Sequence, residues 1–170
     1  LGAEKFLDIK CRKANIQPSC VVLVATIRAL KMHGGVEKEN LKDENIDALK
    51  KGMPNLERHI ENIRKFGLNL VVAINHFVTD TDREVKIIQD HCLKLGVKAS
   101  LCTHWSNGGN GAKDLASEVV EICKKNDKSK FKYLYSDETP ILEKIKKIAK
   151  EIYKAREIRL DEKTKEQIKK

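Results

Sequence analysis

With 170 residues and a hydrophobic fraction of 41%, the chain has the length of one domain, or one and a fraction, and enough apolar side chains for a core, which excludes a disordered polypeptide. No apolar run approaches the roughly 18 residues that a membrane span requires, and the opening LGAEKFLDIK has the character of neither a signal nor a transit peptide. The net charge of +9 attracts polyanions in general, but the lysines are scattered along the helices and thicken only at Lys163, Lys165, Lys169 and Lys170. A solvated Lys/Glu surface is the plain reading, and with aromatics at 5% and no recognised motif, nucleic acid is not an expected partner.

The chain lacks an initiator Met and reads as a piece of a longer protein. Residues 20–27 (CVVLVATI) form a continuous β-branched run, as expected of a strand buried on both faces. Ile46, Leu49, Met53, Leu56, Ile60 and Ile63 then recur at spacings of three and four, which predicts one face of a helix, with a kink or restart where Gly52 and Pro54 interrupt it. Residues 69–75 (NLVVAIN) predict a second buried strand. A capping box at 81–84 (TDRE) opens a helix running to about Leu95, with Gly96 as its stop. Residues 97–103 predict a weaker third strand, and 112–125 a helix with Leu115, Val119 and Ile122 inward. The alternating FKYLY at 131–135 predicts a fourth strand near an edge. Thr139 followed by Pro140 marks the start of a last helix through about Tyr153, and 161–170 is a polar tail after a single domain over 1–160.

Strands alternating with helices predict an α/β fold: a mostly parallel sheet with flanking helices, a Rossmann-like three-layer architecture joined by right-handed crossovers. Ligands in such sheets bind beyond the carboxyl ends of the strands. Three loops lie there. In 28–36, Arg28, Lys31 and His33 bring cationic or protonatable groups to a strand end, and Gly34 and Gly35 let backbone N–H groups approach a ligand. That suits a phosphate or a carboxylate, although a helix start with a Gly-Gly stop explains the same residues. In 75–80, Phe77 follows a buried strand directly, while Asn75 and Asp80 either hydrogen-bond a heterocycle or cap the turn and the helix. In 103–111, Trp105 precedes Gly108, Gly109 and Gly111 on a loop of mobile composition. Two aromatics from adjacent strand ends could sandwich a flat ring.

No metal site is expected. Cys102 and His104 are two candidate ligands without a second pair, and Cys11, Cys20, Cys92, Cys102 and Cys123 show no CxxC spacing and read as reduced thiols. His59 and His91 fall within helices. Neither GxxxxGK[ST] nor GxGxxG occurs in the 170 residues.

The loops taken together resemble one family. VATIRALKMHGG (24–35) is similar to the signature segment of formate–tetrahydrofolate ligases, as are LGAEKF (1–6), KCR (10–12), Asn55 with HIEN (59–62), VVAIN (71–75), Phe77, TDT (79–81), Trp105 with Gly108 and Gly109, and 148–153, in order and over nearly the whole chain. The resemblance implies an enzyme that converts formate, ATP and tetrahydrofolate to 10-formyltetrahydrofolate, ADP and phosphate through formyl phosphate, using Mg²⁺. It implies that Phe77 and Trp105 stack on the pterin and that Leu101 lines the same pocket. It assigns Arg28, Lys31 and His33 to the anionic part of the site, shaped by Gly34, Gly35, Gly108 and Gly109. The family's ATP-binding loop is expected upstream of Leu1, so the isolated chain is expected to be inactive and to hold no cofactor itself. The implied partners are the small-molecule substrates, the remainder of the enzyme and further copies of it. The compartment is the cytoplasm, or the mitochondrion given an upstream targeting peptide. Val78 stands where many relatives have Pro. A non-catalytic folate- or nucleotide-binding module is the alternative.

Overall fold

The β-branched runs at 20–27 and 69–75 become the first two strands of the sheet. A computed structural model of the chain describes residues 2–125 and 130–169. Strands β1 (Val21–Ala25), β2 (Leu70–Asn75) and β3 (Ala99–Cys102) are parallel and lie side by side in chain order. Their register, with Ala25 opposite Ile74 and Asn75 opposite Cys102, brings the three carboxyl ends level.

The N-terminal residues form a helical stretch in three pieces: α1 (Ala3–Lys5), a π-helical Phe6–Cys11 and α2 (Arg12–Ala14). After β1 come α3 (Ile27–His33) and α4 (Ile46–Lys65). After β2 comes α5 (Asp82–Lys94), and after β3 the short α6 (His104–Asn107) and α7 (Lys113–Lys124). Helices α8 (Ile141–Glu151) and α9 (Glu162–Lys169) complete the chain. Leu49, Met53, Leu56, Ile60 and Ile63 of α4, with Val85, Ile88 and Cys92 of α5, bury one face of the sheet through Leu70, Val72 and Ile74. Helix α7 lies on the opposite face, over β2 and β3, with Leu115, Val119 and Ile122 half-buried.

Several expectations change. β1 is not buried on both faces: Val22 is 40% and Val24 63% exposed. The strand is the edge of the sheet, and α7 covers its neighbours instead. Helix α4 does not restart at Pro54, which sits inside one uninterrupted helix. Gly52 has a packing role there. A Cβ on it would lie 1.9 Å from the Leu30 carbonyl oxygen, so α3 and α4 meet backbone to backbone. The expected fourth strand is absent. Residues 131–135 run without strand pairing because their amides find other acceptors: Lys132 N–H donates to the Phe66 carbonyl, and Leu134 N–H to the buried Asp8 carboxylate at 2.9 Å. Arg12 fixes the same segment, its guanidinium carbon 4.0 Å over the Tyr133 ring. The cap of α8 is also shifted, with Pro140 at the N-cap. No helix among the described residues is long and apolar enough to cross a membrane.

Candidate active site at the carboxyl ends of the strands

Thr26 ends β1 and caps α3, its hydroxyl accepting the Ala29 N–H at 3.1 Å. Arg28 therefore sits in the first turn of α3, directly at the strand end. Its side chain crosses to the next loop, where the guanidinium carbon lies 4.1 Å from the centroid of Phe77 and one terminal nitrogen donates to Thr79 Oγ1 at 3.1 Å. The Phe77 loop is closed on itself. Phe77 N–H donates to Asp80 Oδ2 at 2.9 Å, and Asp80 N–H returns to the Phe77 carbonyl at 2.8 Å. Asp80 thus caps the turn, one of the two roles open to it. Asp80 Oδ1 and Arg28 Nε are buried there without a protein partner.

The capping box forms as its spacing predicts: Thr81 Oγ1 accepts the Glu84 N–H and Glu84 accepts the Thr81 N–H, each at 3.2 Å. Most capping-box carboxylates face water, but Glu84 is fully buried. Its Oε1 takes the Lys31 ammonium at 3.0 Å and the Asn45 N–H at 3.2 Å, and Lys31 Nζ also donates to the Asp43 carbonyl at 2.8 Å. Both side chains are 0% exposed. Burial raises the Glu84 pKa, yet the bonds from Lys31, Asn45 and Thr81 together hold it below the ordinary carboxylate value. Lys31, placed by sequence at the anion site, thus points away from the loop surface.

His33 ends α3 and is exposed. Gly34 is a packing position, since a Cβ there would meet the Ala48 carbonyl oxygen at 1.8 Å, whereas Gly35 turns in the left-handed region (φ +97°) with open space around it. At the end of β3, Leu101 is half-buried against the main core. The 103–111 loop closes through Thr103 N–H to the Gly111 carbonyl at 3.0 Å. Trp105 stands on α6 in that loop, 81% exposed, with Gly108 and Gly109 exposed beside it. Among the described residues Phe77 and Trp105 form no aromatic pair with each other. A separate cleft of about 440 Å³, lined by Asn69, Val97, Lys98 and Ile122, lies at the amino ends of the strands, the wrong end for ligands of such a sheet. No group of three His, Cys, Asp or Glu among the described residues is arranged to hold a metal.

An arginine stacks on a phenylalanine at the end of β2, and a lone tryptophan stands on a glycine-rich loop at the end of the neighbouring β3. The formate–tetrahydrofolate ligase family profile covers residues 1–170. The chain belongs to the formate–tetrahydrofolate ligase family. It is 63% identical over 169 residues to the formate–tetrahydrofolate ligase of Pelagibacter ubique, covering 99% of this chain and 30% of that protein. With the ligase of Roseobacter denitrificans it shares 54% over 169 residues, with the same coverage. The ligase of Hyphomonas neptunium is 57% identical over 155 residues, 91% of this chain and 28% of its own length. The chain therefore spans about 30% of the length of these curated relatives.

Within the family frame, the structure brings Arg28, Phe77 and Thr79 into contact. It leaves Trp105 and His33 at the surface and turns Lys31 to Glu84. Neither the Thr79 contact nor the burial of Glu84 leaves a local signal in the sequence. The Arg28–Phe77 contact had a usable signal: both residues follow consecutive strands, which in a parallel sheet of this kind tend to be neighbours.

Proposed function

We propose that this chain supplies the folate-holding part of an enzyme that formylates tetrahydrofolate with formate and ATP. In the reaction a formate oxygen attacks the γ-phosphorus of ATP and ADP leaves. N10 of the folate then attacks the carbonyl carbon of formyl phosphate, the bond to the phosphate oxygen breaks, and N10 loses its proton. Phe77 and Trp105 take the two faces of the pterin, with Leu101 beside it. Arg28, whose charge is delocalised over a flat guanidinium, meets the anionic end of the reaction. Lys31 acts by holding its helix, His33 lies at the rim, and Gly34, Gly35, Gly108 and Gly109 shape the two loops. ATP and Mg²⁺ are assigned to the remainder of the longer protein, because these 170 residues contain no phosphate-binding GxxxxGK[ST]. The isolated chain is accordingly inactive. The complete enzyme is assigned to the cytoplasm and to a homo-oligomer.

One observation carries this reading: a phenylalanine ring at the end of β2 with a guanidinium on one face, and an exposed tryptophan just after the neighbouring strand β3. Stacking on a ring of nucleobase size contributes about 1–3 kcal/mol per aromatic. In the full-length protein, Phe77→Ala and Trp105→Ala are each expected to raise the KM for tetrahydrofolate by about tenfold or more, with the KM values for ATP and formate little changed. Unchanged tetrahydrofolate KM in both variants would end the stacking assignment.

A further inference from the structure

We propose that Lys31 and Glu84 are positioning residues that lock Arg28 and Phe77 into register; the inference rests on the folate reading above. Three chain segments converge on this pair. Lys31 comes from α3, one turn beyond Arg28. Asp43 contributes its carbonyl and Asn45 its N–H from the connection into α4. Glu84 comes from the first turn of α5, where it also closes the capping box with Thr81. The contacts then form a ring. Glu84 holds Thr81, its neighbour Asp80 closes the turn that presents Phe77, and the guanidinium of Arg28 lies on the Phe77 ring and bonds Thr79. Arg28 returns along one turn of α3 to Lys31, 3.0 Å from Glu84.

An ordinary capping box needs only Glu84 and Thr81. The buried ammonium adds nothing to that cap, and burying two charges offers little net stability compared with apolar residues of similar volume. What the pair does supply is directionality. It ties the helix carrying the anion-side arginine to the helix that starts from the pterin loop, at a point too buried for water to compete. Apolar packing at this position would let α3 and α5 slide relative to one another. The Arg28–Phe77 stack would then lose its fixed geometry, and misplacing a substrate-orienting group by about 1 Å is enough to cost activity.

The test uses the full-length protein with both positions changed, Lys31→Met together with Glu84→Gln. Glutamine keeps the capping box and the double change leaves no unpaired buried charge. The expected result is a thermal midpoint within a few degrees of the parent, a KM for tetrahydrofolate raised about tenfold, a lowered kcat from the displaced Arg28, and an unchanged KM for ATP. Asp8→Ala, which damages the fold far from the site, should lower the midpoint and leave the tetrahydrofolate KM alone. If the double variant does not fold, Lys31→Arg replaces it: the charge stays but the compact ammonium becomes a wide fork, and the same selective rise in KM is expected. A tetrahydrofolate KM equal to the parent's in the folded double variant, or in Lys31→Arg, overturns the positioning role. Phe77→Ala measured alongside separates the two levels. If Phe77→Ala raises the tetrahydrofolate KM and the pair variant does not, this inference fails alone; if Phe77→Ala also has no effect, the folate reading fails and takes the inference with it.

Discussion

Gly52 shows how far a single residue can depart from its local signal. Beside Pro54 in a helical run it reads as a breaker, yet α4 continues through both residues. Its missing side chain is what allows the Leu30 carbonyl of α3 to rest on α4, and Gly34 does the same for the Ala48 carbonyl in the other direction. The consequence reaches the site, because α3 carries Arg28 and Lys31. Gly52→Ala therefore sets two effects against each other. Alanine improves helix propensity by about 1 kcal/mol, but its methyl would overlap a backbone oxygen at 1.9 Å that cannot rotate away. Overpacking against a fixed backbone costs about 1–3 kcal/mol or more, so net destabilisation is expected. Urea unfolding of the variant checks this, and an unchanged or raised midpoint would show that α3 can shift without penalty. By contrast the Thr81–Glu84 capping box was legible in full, because both its partners lie within four residues of each other. The Lys31–Glu84 bond was not, since 53 residues separate its ends and only the folded topology joins them.

At the level of elements, β1, β2, α5 and α7 were readable from hydrophobic period and capping, and the order of the sheet followed from strand–helix alternation. Residues 131–135 were not. FKYLY has strand alternation, but alternation reports only which side chains turn inward, not what the backbone bonds to. Here Asp8 takes the place of a neighbouring strand, accepting the Leu134 N–H, and Arg12 sits over Tyr133. A side chain from the first helical stretch thus fastens a segment more than 120 residues later. Burial raises the Asp8 pKa, with the Leu134 amide and Arg12 opposing that rise. Asp8→Ala would leave the Leu134 amide buried without an acceptor, and such a group costs about 1–3 kcal/mol. The expected outcome is a loss of that size in urea unfolding, together with faster amide exchange at Leu134. A variant with full stability would mean that another acceptor takes over.

For the whole molecule, the excess of positive charge makes the behaviour of the carboxylates decisive in acid. Two buried groups move in opposite directions. Asp8 lies above its ordinary value of 3.8, so its ionised form is disfavoured by folding and protonation relieves it. Glu84 lies below its ordinary value of 4.5; burial works against this, and the Lys31, Asn45 and Thr81 bonds outweigh burial. For a carboxyl lowered by folding, the unfolded chain takes up protons first. Its contribution is therefore whole above about pH 4.5 and disappears as pH falls through the lower folded value. Glu4, bonded by the Tyr153 hydroxyl at 2.7 Å, and Glu61, paired with Lys154 at 3.0 Å, are lowered as well and act in the same sense. Glu138, Glu151 and Asp161 at the surface are lowered too, so the lowered carboxyls outnumber Asp8 and give a net loss below about pH 4.5, with Asp8 softening it. The exposed Glu61 pair is screened by salt, whereas the Lys31–Glu84 pair has no solvent between its charges and is screened little. The thermal midpoint of the 170-residue chain is thus expected to begin falling below about pH 6.5, where burial holds the His59 pKa down, to fall further below about pH 4.5, and to keep the Glu84 share of that acid fall in high salt. Lys31→Met with Glu84→Gln removes the buried titrating carboxyl and should make the fall shallower. If the double variant loses stability in acid as steeply as the parent, the acid sensitivity belongs to the surface pairs and not to the buried ring that joins α3 to α5.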